Sequence, residues 1–172
     1  GALRVALEPP RVYLRKAQYS FSWDWGPKLT TSGIWREISL QGLSGGRLSN
    51  PFVRIISVNK REAVAEVSVE IDRYGGVPLT LRACISGHSV SIDHETAVRS
   101  KHVKFLIRIP NPRLWWPSGY GDQPMYEAVF SLLRDGKEVH RSEVSFGIRT
   151  VRLLQNRDAE GKSFVFEING VR

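Results

Sequence analysis

Asp24 stands between Trp23 and Trp25 in a stretch that also carries Tyr13, Tyr19, Phe21 and Trp35. Indole side chains bury well and want a partner for their N–H. A carboxylate wants water, a cation or a polar ligand. Flat apolar faces beside a hydrogen-bond acceptor suit a sugar, which presents C–H patches on its faces and hydroxyls around its edge. The simpler reading is a strand that buries Trp23 and Trp25 and exposes Asp24, because neighbouring strand residues face opposite ways. In that reading Asp24 is a structural carboxylate paired with Arg15 or Arg36. The residue types alone leave both readings open.

The other reactive side chains suggest less chemistry. Asp93 and Glu95 fall at a strand end with no basic or aromatic frame, so a solvated pair is expected. Asp122 lies in a glycine-rich turn, where aspartate is commonplace. His88 and His94 would sit about 20 Å apart along an extended strand, and His102 and His140 stand alone. Cys84 is the single cysteine, which excludes an internal disulfide; a small buried apolar role is expected for it. No CxxC, HExxH, phosphate-binding glycine loop or nucleophile elbow occurs, so neither a metal nor another cofactor is expected. Trp115 and Trp116, between Pro112 and Pro117 and followed by Gly119 and Gly121, read as a rigid loop whose indoles pack between domains.

The net charge of +8 invites a nucleic-acid reading. Its distribution argues against one. Residues 1–46 carry six basic and three acidic side chains, residues 47–146 fourteen and eleven, and residues 147–172 five and three. No basic run exceeds two residues. Basic residues alternate with apolar ones in Lys104-Phe105-Leu106-Ile107-Arg108-Ile109, the pattern of a half-buried strand with a solvated face. Neither nucleic acid nor a membrane is an expected partner: no apolar run approaches the ~18 residues of a membrane-spanning helix. GALRVALEPP also lacks the pattern of a signal peptide.

These groups need a scaffold, and the sequence specifies a β one. Ala63, Ala65, Val67, Val69 and Ile71 alternate onto one face, as do Val103, Phe105, Ile107 and Ile109. Residues 52–58, 79–86, 88–93, 125–133 and 138–146 read as further strands, and Asp135-Gly136 as the hairpin turn between the last two. Seven short strands over 47–146 fit an immunoglobulin-like β-sandwich, an all-β fold. Residues 43–50 are rich in glycine and serine and read as the boundary before it. Residues 1–46 hold about three strands by pattern, too few to bury their own aromatics. Asn169-Gly170 is a hairpin signal only two residues from the last residue. Both ends therefore read as pieces of neighbouring domains, and the exposed aromatics of the first piece suggest self-association.

Three segments bear a family resemblance. RKAQYSFSWDWGPKLTTSGIWREISL (15–40) resembles the signature of β-mannosidases of glycoside hydrolase family 2. NPRLWWPSGYGDQPMY (111–126) resembles a second motif of that family. FGIRTVRLLQ and FVFEINGV, within 146–171, resemble the entry to its catalytic barrel. The resemblance implies that 1–46 is the C-terminal part of a jelly-roll sugar-binding domain, 47–146 the immunoglobulin-like sandwich, and 147–172 the entry strands of a (β/α)8 barrel. It implies a retaining exo-glycosidase acting on terminal β-linked mannose, with two catalytic glutamates on a barrel that needs ~250 residues. This chain would then hold no catalytic residue and be inactive alone, meeting carbohydrate only through the full-length enzyme. Trp23 and Asp24 would contact the terminal sugar, while Trp25, Gly26 and Pro27 shape the loop. Ser22 occupies a position that is small and glycine-like in many relatives, tolerable unless the backbone there needs a positive φ. An exo-β-glucosaminidase relative shares parts of the pattern. A free-standing sandwich module that binds carbohydrate or protein is the alternative of a different class.

Overall fold

Alternation of small and β-branched residues builds the central strand of this molecule. In the computed structural model, which describes residues 13–22 and 24–172, Ala63, Ala65, Val67, Val69 and Ile71 are all buried on one face of a strand. With side chains of period two, that face must meet a second layer. The strands are β1 (Gly46–Val58), β2 (Glu62–Arg73), β3 (Thr80–Gly87), β4 (Val90–Ala97), β5 (His102–Pro110), β6 (Tyr126–Arg134), β7 (Lys137–Phe146), β8 (Val151–Leu154) and β9 (Val165–Ile168). Two antiparallel sheets, β1-β2-β5 and β4-β3-β6-β7, form the sandwich, and β8 pairs with β9 in a separate ribbon. Among the described residues no helix is long and apolar enough to cross a membrane.

The core joins the β2 face to Leu81, Ala83 and Ile85 of β3 and to Tyr126, Ala128, Phe130 and Leu132 of β6. Ile148, just beyond β7, is also fully buried in it. Tyr126 keeps its hydroxyl satisfied, since the Arg113 amide donates to it at 2.9 Å. That bond ties the start of the loop containing Trp115 to the core. At the sandwich edge the Leu48 amide of β1 donates to Nδ1 of His140 in β7 at 3.3 Å, so one imidazole fastens the two sheets.

Three local expectations require correction. Residues 88–93 are not a continuous strand: His88 and Ser89 form the turn between β3 and β4, with φ of 49° and 66°. A type I′ turn needs φ > 0 at both central positions, which usually selects Asn or Gly. Residues 43–50 are not wholly a boundary loop, because β1 begins at Gly46. Its register shifts between Ser49 and Phe52, around Asn50 at φ 49° and Pro51. A proline without an N–H is at home in such a bulge. Third, residues 13–45, leaving out Trp23, contain no named strand, only a 3-10 turn at Gln18–Phe21. Gly26 sits in an isolated bridge, and the rest of the expectation of three strands over 1–46 falls on residues outside those described.

The chain divides between Gln41 and Gly42 into two units. Within the second, glycine lets an indole approach the backbone. A Cβ at Gly147 would lie 2.8 Å from Trp115 Cγ. Trp115 cannot retreat freely: its amide donates to Ile148 O at 2.9 Å, and the Arg149 guanidinium lies 4.6 Å from its ring centroid. Gly147→Ala is therefore expected to destabilise the unit by about 1–3 kcal/mol, the usual cost of overpacking. Thermal unfolding checks this: a Tm equal to that of the unsubstituted chain would show that the indole swings aside.

Candidate functional site

The Asp24 turn is shaped by two residues with positive φ. Ser22 has φ 89° and ψ 142°, and Asp24 has φ 36°. Aspartate tolerates the left-handed region better than most residues. Serine at φ 89° and ψ 142° is strained, because the Cβ crowds the backbone where glycine would not. The condition attached to Ser22 is thus met: the backbone there does take a positive φ. The hydroxyl compensates in part, since Ser22 Oγ donates to the Gly26 carbonyl at 3.1 Å. This bond closes the turn across its base.

Asp24 is exposed at that turn. Among the described residues it forms no ion pair with Arg15 or Arg36. Arg36 instead places its guanidinium 4.3 Å from the Trp35 ring centroid. Trp25 lies in the turn at 88% exposure, so the expectation that it is buried in a strand does not hold. Trp23, the other expected sugar contact, lies outside the described residues.

Next to the turn in sequence, the first unit contains an open cleft of about 1000 Å³. Leu14, Phe21, Ile34 and Trp35 give it apolar walls, and Arg15, Lys16, Lys28, Thr30 and Thr31 give it polar ones. Lys16 Nζ donates to Thr31 Oγ1 at 3.5 Å. The lining thus sets cationic and hydroxyl side chains beside apolar rings. Asp24 is not among the lining residues.

In the second unit the acids are framed by cations. Arg82 of β3 donates to Asp93 Oδ1 through Nε at 3.1 Å and through Nη2 at 2.9 Å. Its Nε also lies 3.8 Å from Glu95 Oε1. The reading of Asp93 and Glu95 as a pair without a basic frame is therefore wrong. The hydrogen bond to Asp93, then its charge, raises the Arg82 pKa further above its usual value. The reason for the miss is register: Arg82 pairs with Glu95 across two strands, and alternation within one strand does not reveal its neighbour. Asp122 lies 3.5 Å from Arg113. Among the described residues no cluster of three histidine, cysteine or acidic side chains could hold a metal ion.

The Trp loop meets the last ribbon through Asn169. Its Nδ2 donates to Trp115 O at 3.0 Å, and its Oδ1 accepts from the Thr150 amide at 2.9 Å. The Asn169 amide donates to Thr150 O at 3.0 Å. Asn169 at φ 52° and Gly170 at φ 83° make the turn that the Asn-Gly pair predicts. Sequence reading recognised that turn but not the side-chain bridge, which joins residues far apart in the chain. Trp116 packs as Trp115 does, because a Cβ on Gly121 would lie 2.9 Å from its Cδ1.

Comparison with known proteins places these features in context. Residues 47–149 match the glycosyl hydrolases family 2, and residues 3–36 match the glycosyl hydrolase 2 galactose-binding domain-like family. The chain is 36% identical over 167 residues to beta-mannosidase B of Aspergillus fumigatus, covering 95% of this chain and 20% of that protein. It is 38% identical over 167 residues to beta-mannosidase B of Aspergillus flavus, with the same coverage of each. The crystal structure of a beta-D-mannosidase from Dictyoglomus thermophilum superposes with a TM-score of 0.82 at 38% identity, over 94% of this chain and 20% of that one. An exo-chitosanase from Amycolatopsis orientalis shares the fold at 18% identity, with a TM-score of 0.56 over 74% of this chain and 15% of that one. The chain thus spans about a fifth of the length of the curated relatives it matches.

Proposed function

The chain belongs to family 2 of the glycosyl hydrolases, and from that premise we propose that it is a non-catalytic portion of a retaining exo-glycosidase that removes terminal β-linked mannose from glycans. The observation that carries this reading is the similarity to β-mannosidases along nearly the whole chain, at 36% identity over 95% of it. In this reading 1–46 completes a jelly-roll sugar-binding domain, 47–146 is an immunoglobulin-like spacer, and 147–172 leads into a catalytic barrel. The two carboxyl groups that protonate the leaving group and attack the anomeric carbon belong to that barrel.

The role left to this chain is recognition and support. Asp24 is the substrate-facing carboxylate, accepting hydrogen bonds from hydroxyls of the terminal sugar, with Trp23 packing against the ring. Two features support the assignment for Asp24: the absence of an ion pair with Arg15 or Arg36, and a turn held by Ser22. Asn169 and Gly147 fix the Trp115 loop to the ribbon that precedes the barrel.

The test is substrate preference. The full-length enzyme is expected to hydrolyse aryl β-mannosides in preference to aryl β-glucosaminides. A preference in the other direction would replace this reading with an exo-β-glucosaminidase. The first unit also exposes large apolar side chains, Trp35 at 79% and Leu40 at 102% among them. Separated from the rest of the enzyme, those surfaces should pair with a second copy. The chain's apparent mass is therefore expected to rise with concentration in light scattering; a constant monomer mass would remove self-association from its partners.

A further inference from the structure

We propose that Ser22 is a positioning residue for the Asp24 carboxylate, acting through the turn and not by touching the sugar. The proposal rests on the reading of Asp24 as a substrate contact. Its basis is a conflict between backbone and side chain. At φ 89° and ψ 142° glycine is the unstrained residue, and a serine there is disfavoured. The one thing serine adds over glycine is a hydroxyl, and that hydroxyl donates to Gly26 O at 3.1 Å in a partly buried setting.

The bond links the two ends of a turn whose interior includes Asp24 at φ 36°. Asp24 itself lacks the alternative anchor of an ion pair with Arg15 or Arg36. Its carboxylate therefore points where the turn points, and the Ser22 hydroxyl is one tie at the base of that turn, beside the bridge at Gly26. Without the hydroxyl the ends can separate, and Asp24 samples orientations in which it misses the sugar. A carboxylate held in advance loses less freedom on binding, which is the source of the gain.

Four variants of the full-length enzyme test this: Ser22→Ala, Ser22→Gly, Asp24→Asn, and Ser22→Gly combined with Asp24→Asn. Ser22→Ala keeps the Cβ and removes the clamp. Ser22→Gly removes both the clamp and the strain, so it folds at least as readily as the parent. Each is expected to lower kcat/KM by about 3- to 10-fold, the worth of one hydrogen bond. The Tm of Ser22→Gly should be equal to or above that of the parent, a split that a purely structural serine would not produce. In the Asp24→Asn background, Ser22→Gly is expected to lower kcat/KM by less than about 2-fold, because residues that act through one another are not additive.

Equal losses from Ser22→Gly in both backgrounds would overturn the proposal, because Ser22 would then act independently of Asp24. No loss in either background would overturn it as well. Unchanged kinetics in Asp24→Asn alone would sink the substrate role of Asp24 itself, an outcome separate from a failure of the Ser22 variants.

Discussion

Assayed alone, the 172-residue chain is expected to leave aryl β-mannosides and aryl β-glucosaminides intact. Retaining hydrolysis needs one carboxylic acid kept protonated and one carboxylate placed as nucleophile, roughly 5–5.5 Å apart. The acids of the sandwich are arranged for a different purpose. Asp93 and Glu95 are alternate residues of β4, so they share a face at a spacing near 7 Å. They also share the Arg82 guanidinium. Their side chains are about half exposed, so nothing there excludes water. Glu62 is bonded to Arg108 at 2.7 Å and Glu66 to Arg54 at 3.0 Å, which commits them to surface ion pairs. Turnover that survives stringent purification and scales with protein concentration would show that the chain carries its own catalytic pair.

The strands were legible because their signal is local. β2 and β5 bury alternate residues, as their sequences predict, and the Asp135-Gly136 turn falls where its residue types place it. The His88-Ser89 turn was not legible, since neither residue announces a left-handed conformation; what forces it is the closure of β3 onto β4. The β1 boundary was obscured in a similar way. Glycine and serine at 43–50 suggest a linker, yet pairing of Gly46 with Arg73 extends the strand into it. Contacts between segments distant in the chain were the least visible. Arg82 beside Asp93, Trp115 against Gly147 and Asn169 under Trp115 all depend on register and topology.

The candidate site divides along the same line. The composition of the WDW segment singles out Asp24, and its exposure is common to both readings of that segment. Trp25 is exposed because the described residues there form a turn, where the alternation of a strand does not apply. Ser22 was visible only as a condition on φ, and the backbone geometry resolved that condition. A hydroxyl bound to a carbonyl four residues on leaves no periodic trace in a sequence, so only the folded turn reveals it.

Replacing Asp24 by alanine in the full-length enzyme should separate recognition from folding. Asp24 is exposed and holds no ion pair with Arg15 or Arg36, so removing its carboxylate leaves no buried charge unpaired. A surface change of this kind usually alters stability by under about 0.5 kcal/mol, and the Tm should stay within a few degrees. The turn itself resists the substitution slightly, because alanine tolerates φ 36° less well than aspartate; Asp24→Asn controls for that. The kinetic loss should be larger. A charge-assisted hydrogen bond to a sugar hydroxyl is worth about 1.5–3 kcal/mol, so kcat/KM should fall by roughly ten- to a few hundred-fold. If the sugar ring distorts on the way to the transition state and tightens that bond, kcat falls too; if the bond is equal in both states, only KM rises. The contrary pattern is a large drop in Tm with kinetics preserved in the enzyme that remains folded. It would make Asp24 a structural carboxylate and move sugar recognition to other residues.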